Sequence, residues 1–188
     1  MRRLVSFMHL SLDGRTNSAT GGLEWINISD EMFECSERQS ARSDLALYGH
    51  GTYQIMEAYW PTAADKPDAS SHDIAHAGWY SKVDKVIIST TMPESDDPKK
   101  TVVGTDIPGY INKIKQMPGL DIVMFGSPTL TRSLMEDNLI DDYWLFYNPI
   151  ILGTGVPLFG GLKDPIHLQL AESNTFKSGV VCSHYVKA

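Results

Sequence analysis

Two short stretches carry residue types suited to holding phosphate. In LALYGHGTYQIM (45–56) an apolar run stops at Gly49-His50-Gly51, and Thr52 opens a run of helical period. In LDIVMFGSPTLTRSLM (120–135) a second apolar run stops at Gly126, with Ser127 as an N-cap and Pro128 at the first helical position. The first N–H groups of a helix have no partner within it and carry a partial positive charge. Glycine lets a phosphate come close to such a start, and a Ser or Thr hydroxyl adds a hydrogen bond. Two such starts at one sheet edge could hold two phosphates of one ligand. Neither stretch is a standard nucleotide motif: GHGTYQ lacks the last glycine of GxGxxG, and no GxxxxGK[ST] occurs. Rossmann and P-loop readings are therefore unsupported, while a dinucleotide held by two separate helix starts stays open. A different chemistry is offered by HDIAH (72–76), two histidines at i and i+4 on one helix face. That spacing suits zinc, and a zinc hydrolase is the remote alternative; but Asp73 stands where HExxH has its general-base Glu, and no third ligand is evident. The expectation is no metal, with surface histidines at the start of a helix.

The elements that must position these residues alternate. Strand signals fall at 3–12, 44–48, 84–90, 101–103, 120–125, 143–152, 166–170 and 179–186. Several are continuous apolar runs (LALY, KVII, LDIVMF), as expected of strands buried on both faces of a mostly parallel sheet. Helical patterns lie between them: SDEMFECSERQSA, TYQIMEAYW, IPGYINKIKQM and SPTLTRSLMEDNL. From Tyr143 onward strands and Gly-rich turns alternate, which favours antiparallel pairing at one edge. PTAADKPDASSHD (61–73) and MPESDDPKK (92–100) read as surface loops, too short for interdomain linkers. The 188 residues are thus expected to form one domain around one core. A formal charge of −7 repels phosphate backbones, so general nucleic-acid or anionic-membrane binding is not expected and any anion site must be local. No apolar stretch approaches the roughly 18 residues of a membrane span, and the start MRRLVSFMHLSLDG reads as a strand rather than a signal. Cys35 and Cys182 are far apart in sequence and read as small apolar packing groups in a reducing cytoplasm.

SLDG (11–14), LEWI (23–26), YGHGTYQIM (48–56) followed by AYWP, KVIIST (85–90), and the block DIVMFGSPTLTRSLMEDNLIDDYWLFYNPIILGTGVPLF (121–159) follow one another across nearly the whole chain. In that order they resemble the dihydrofolate reductase-like superfamily. The branch is that of the C-terminal reductase domain of the bifunctional riboflavin-biosynthesis enzymes. The resemblance implies one three-layer α/β/α domain over 1–188, a mostly parallel sheet with antiparallel C-terminal strands, and NADPH as cofactor. It implies hydride transfer to a nitrogen heterocycle, most like 5-amino-6-(5-phosphoribosylamino)uracil reductase or a related pteridine or pyrimidine reductase. Dihydrofolate reductase proper and a non-catalytic NADP-binding protein are the alternatives.

By carry-over, Gly49, His50, Gly51 and Thr52 lie near the adenosine 2′-phosphate with Ser89 and Thr90 beside them, and Gly126, Ser127, Thr129 and Leu130 cradle the pyrophosphate. The family commonly has Arg where His50 stands, so NADH is not excluded. Asp30, following Trp25 at the family interval, is the candidate catalytic acid, although Ser29 and Asp30 also read as helix caps. Asp13 and Trp25 are candidate substrate contacts, Asp13-Gly14 being equally a turn pair. The backbone of GTGVPLF, through Gly153 and Gly155, is expected to cover nicotinamide and substrate. The family's Lys after SLDG is Arg15 here and its D-x-P-x-L stretch is absent, which points to a smaller or unphosphorylated ring. Relatives often form two-fold dimers, and YWLFYNPIIL and GVVCSHYV would suit such an interface or simply the core.

Overall fold

The computed structural model describes residues 1–188. In chain order its elements are β1 (Leu4–Ser11), α1 (Asp30–Ala41), β2 (Ser43–Gly49), α2 (His50–Ala63), α3 (Ser71–Tyr80), β3 (Asp84–Ile88), β4 (Lys100–Val103), α4 (Ile107–Gln116), β5 (Asp121–Phe125), α5 (Pro128–Glu136), β6 (Asp142–Asn148), β7 (Leu168–Thr175) and β8 (Val181–Lys187). The strands form one sheet in the order β4-β3-β2-β5-β1-β6-β8-β7. Pairing is parallel from β4 through β6 and antiparallel where β8 meets β6 and β7.

Period-two alternation decides which helix each strand residue meets. Leu4, Met8 and Leu10 of β1, Leu45 and Leu47 of β2, and Ile122 and Met124 of β5 pack with Ile111 and Ile114 of α4 and Leu130, Leu134 and Met135 of α5. Their neighbours Val5, Phe7, Ala46, Tyr48, Val123 and Phe125 face the other way, against Met32 and Cys35 of α1, Tyr53 of α2 and Tyr80 of α3. Helices therefore cover both sheet faces, which is why the strands read as unbroken apolar runs. The fold is the expected three-layer α/β/α arrangement with antiparallel C-terminal strands.

Ion pairs pin the layers. Lys115 at the end of α4 is buried and places Nζ 2.7 Å from Asp141 Oδ2 and 2.8 Å from the Leu139 carbonyl. The same carboxylate oxygen accepts the Leu4 N–H at 2.7 Å, so one buried cation ties α4 to the α5–β6 turn and to β1. On the opposite face Glu57 of α2 accepts from Lys100 of β4 (2.7 Å) and from the Tyr80 hydroxyl (2.8 Å).

Several boundaries move. α2 begins at His50 rather than Thr52, with Gly49 as its N-cap, and runs through Pro61 to Ala63. The expected 61–73 loop is shortened at both ends, because Ser70 and Asp73 form a capping box that starts α3. The strand expected to reach residue 152 stops at Asn148, before Pro149, which has no N–H for a ladder. β7 runs on to Thr175 through polar residues that an edge strand can expose. The apolar residues Tyr143 to Phe146, with Val180 and Cys182, are core, since β6 and β8 lie inside the sheet; the edges left open are β4 and β7.

The two cysteines pack in one apolar cluster, as their spacing suggested. Both are buried in the core cluster that faces α1, and Cys35 Sγ accepts from Arg38 at 3.1 Å. The neighbouring Cys182 thiol, followed by Arg38, pushes the Cys35 thiol down from its ordinary range.

Candidate functional site

β2 and β5 are parallel neighbours, so the helices that follow them begin side by side at the carboxyl edge of the sheet. The Gly49 N–H donates to Ser127 Oγ at 2.8 Å, and a Cβ built on Gly126 would lie 3.4 Å from Thr52 Cγ2. The two glycine turns are thus in direct contact. Gly126 (φ 72°) and Ser127 (φ 61°) are both left-handed, which reverses the chain abruptly into α5. Ser127 occupies the N-cap position but does not cap its own helix, because its oxygen is taken by the β2–α2 turn. Its O–H remains able to donate. Helix geometry leaves the His50, Gly51 and Thr52 amides free at one start and those of Thr129 and Leu130 at the other. A Cβ on Gly51 would meet open space.

From Thr52, Gly126 and Ser127 a cavity of about 490 Å³ runs down the face covered by α1, α2 and α3. Its walls are largely aromatic and apolar, with Phe33, Met56, Trp60 and Phe125 among them. Three histidines face it: His9 from β1, and His72 and His76 from α3. His72 is committed, with Nδ1 3.2 Å from Glu37 Oε1 and its ring stacked on Phe33 at 3.8 Å. His76 packs against Trp60 at 4.1 Å and Trp79 at 5.0 Å, and neither of its nitrogens has a partner. His9 Nδ1 is likewise unpartnered. Burial pushes both imidazoles down, His9 to about 4 and His76 to about 3, so both are neutral near pH 7. The histidines of HDIAH are therefore not surface residues. Asp73 cannot serve as a base either, since it accepts from the Ser70 N–H and hydroxyl and from the Tyr59 hydroxyl. No group of three metal-ligating side chains gathers around the motif.

The remaining expected residues divide in two. Gly49 and Leu130 pack directly behind the paired turns, His50 and Gly51 form the first turn of α2, and Thr129 is exposed at the start of α5. Ser89 and Thr90 follow β3 on the same sheet edge, where Ser89 Oγ accepts the Thr91 and Met92 N–H groups at 3.2 and 2.9 Å. Asp30 and Trp25 lie outside the cavity. Asp30 is exposed beside the Ser29 cap, whereas the α1 residues facing the cavity are Met32, Phe33 and Ser36. Trp25 is buried, with its indole N–H on the Gly22 carbonyl at 3.2 Å. The carboxylate expected from α1 is thus absent from the cavity, because helical phase turns Asp30 away.

Asp13, Gly153 and Gly155 belong to a loop clamp beside the cleft. Asp13 accepts from the Ser11 hydroxyl (2.7 Å) and from the Leu152 and Gly153 N–H groups (3.0 and 2.9 Å). Gly155 packs so closely that a Cβ there would come within 2.1 Å of the Asn17 carbonyl oxygen. The Ser11 hydroxyl, followed by the Leu152 N–H, holds the Asp13 carboxyl down at about 2, below its ordinary 3.8. A depressed carboxylate stabilises the folded loop above its unfolded pKa and loses that contribution as pH falls through the folded value. Asp13→Ala is therefore expected to speed amide exchange at Leu152 and Gly153 severalfold at pH 6, with the difference closing between about pH 4 and pH 2.

His9, Phe33, Trp60 and His76 line the cavity without having been expected there from the sequence. The signal for His9 was present, since it alternates with Val5 and Phe7 on one face of β1. A second cavity, of about 500 Å³, lies between the end of α5 and residues 162–167 and contains none of the expected site residues.

A mostly parallel sheet that brings two helix starts together over an aromatic cavity defines the dihydrofolate reductase-type fold of pyrimidine and riboflavin-pathway reductases. Within that class the chain belongs to the RibD C-terminal domain family, whose model matches residues 2–182. It is 29% identical over 182 residues to the uncharacterized protein YyaP of Bacillus subtilis, covering 96% of this chain and 92% of that protein. The structure of a putative riboflavin biosynthesis protein from Shewanella sp. PV-4 superposes with a TM-score of 0.73 at 20% identity, covering 99% of both chains. The deaminase/5-amino-6-(5-phosphoribosylamino)uracil reductase of Thermotoga maritima gives 0.69 at 11% identity, this chain covering 57% of it.

Proposed function

We propose that this chain is an NADPH-dependent reductase that delivers hydride to a nitrogen heterocycle. One observation carries the reading: the Ser127–Gly49 hydrogen bond joins two amide-rich helix starts above one aromatic cavity. The site fits the cofactor at its glycines, where a Cβ on Gly51 in the first turn of α2 would meet open space and Gly126 adopts a left-handed backbone (φ 72°) with Thr52 in contact. His50, Gly51 and Thr52 would hold one phosphate-bearing arm; Ser127, Thr129 and Leu130 would hold the other. When bound, NADPH supplies the hydride. The chain's own residues anchor its phosphates, orient the ring that accepts the hydride and exclude water from the apolar cavity.

The test measures NADPH and NADH binding by quenching of protein fluorescence, then screens pyrimidines and pteridines for loss of nicotinamide absorbance at fixed cofactor. Turnover of one heterocycle supports the reading. Tight binding without turnover of any would leave a non-catalytic nucleotide-binding protein, and no binding of either nucleotide would end the proposal. His50→Arg is expected to raise the preference for NADPH over NADH about tenfold, because a guanidinium gives a 2′-phosphate a permanent bidentate partner; dissociation constants for both nucleotides check this. A two-fold pair, if formed, would show as a doubled mass in solution.

A further inference from the structure

We propose that the cavity beneath the helix starts selects a flat, uncharged and unphosphorylated heteroaromatic ring, and that His76, with His9, reads the ring's hydrogen-bonding edge. This deepens the reductase reading and rests on it only in taking the cavity as the substrate end of the cleft.

Three observations converge on it. The cavity is lined by no lysine or arginine, and its one carboxylate, Asp73, is already engaged by Ser70 and Tyr59. A phosphate carried inside would lose its water without gaining a counter-charge. Arg15, which stands where the family has its Lys, does not supply one: its guanidinium lies 3.6 Å from Asp13 and 3.3 Å from the Gly155 carbonyl, within the loop clamp rather than the cavity wall. A cationic ring finds no free carboxylate there either, because α1 presents Met32, Phe33 and Ser36.

Second, His76 is only 3% exposed, and both of its ring nitrogens lack a partner. His9 Nδ1, from the strand on the other side of the cavity, is in the same condition. Buried polar atoms are ordinarily paired, and an unpaired one marks a group that a ligand or ordered water can satisfy. A neutral imidazole offers one N–H and one lone pair, the complement of the alternating N–H and C=O edge of a pyrimidine or pteridine. Burial keeps both imidazoles neutral over the ordinary pH range, which suits an uncharged ring.

Third, the surroundings fix these rings. His76 lies between Trp60 and Trp79 and edge-on to Phe125, while the adjacent His72 is held by Glu37 and Phe33. The volume of about 490 Å³ is that of a pocket for a small molecule of one or two fused rings.

Titration calorimetry on the cofactor-free protein at pH 6.5 tests this with three probes: lumazine, 5-amino-6-ribosylaminouracil, and the same uracil carrying the 5-phosphate. The unphosphorylated uracil should bind at least tenfold more tightly than its phosphate, and lumazine should bind measurably. His76→Phe keeps an aromatic ring of similar shape and removes only the unpartnered nitrogens. Its melting temperature should be equal or higher, and its affinity for lumazine at least tenfold lower, with NADPH affinity unchanged. The proposal is overturned if the phosphorylated uracil binds as tightly as its counterpart, if His76→Phe binds lumazine normally, or if no probe binds at all. NADPH titrated into the same preparations reports separately on the cofactor cleft, so failure of the ring assignment and failure of the reductase reading are distinguishable.

Discussion

Gly126→Val is expected to weaken NADPH binding at least a hundredfold while leaving the chain folded. The backbone at Gly126 has φ 72°, a region that costs an L-residue about 1–2 kcal/mol and a β-branched one more. A Cβ there would sit 3.4 Å from Thr52 Cγ2 before either methyl of valine is added. The methyls must push against Thr52 and separate the two sets of amides, or project into the space above the paired turns and occupy the room a phosphate needs. Gly78→Ala in α3 is the control. Its Cβ meets nothing within 4 Å, so helix propensity alone should make that variant about 1 kcal/mol more stable, with nucleotide affinity unaltered. Dissociation constants from quenching, with thermal melts of both variants, decide the matter. Normal NADPH affinity in Gly126→Val would show that the cofactor does not use this turn.

The largest effect on stability is expected at Lys115. Lys115→Met preserves the length of the buried side chain but leaves Asp141 without its cation and the Leu139 carbonyl without its donor. Removing one member of a buried pair costs about 3–5 kcal/mol, mostly because the other charge stays behind desolvated. Asp141 retains some contact with water, which places the expected loss near the lower figure, about 3 kcal/mol by urea denaturation. Lys115→Met combined with Asp141→Asn should recover more than half of that. The amide carries no charge to strand, and its oxygen can still accept the Leu4 N–H.

The sequence carried the sheet and the paired helix starts more legibly than the cavity beneath them. Eight strand signals became eight strands, because long apolar runs between helical patterns leave few arrangements for a doubly covered sheet. Gly126-Ser127-Pro128 and Gly49 could be read as helix starts because the backbone demands of such turns are local. That Ser127 Oγ would serve Gly49 rather than its own helix could not be read, since the contact spans 78 residues and depends on β5 lying beside β2. Asp30 lies outside the cavity; a spacing after Trp25 says nothing about helical phase. The phase is set by Met32 and Cys35 entering the core, and they carry Asp30 outward. HDIAH misled for a related reason. Two polar residues one turn apart suggest a wet face, whereas Trp60 of α2 and Phe33 of α1, with Trp79 of the same helix, close over them.

β7 carries one residue more than its neighbour can match: the register slips between Leu170 and Glu172, leaving Ala171 as a bulge on a rim strand whose residues are mostly bare to water. A flat, regular rim would invite further chains to add themselves without end, and a kinked one bearing a carboxylate does not. Deleting Ala171 to restore an even ladder should therefore leave the cleft intact yet make concentrated solutions turn cloudy.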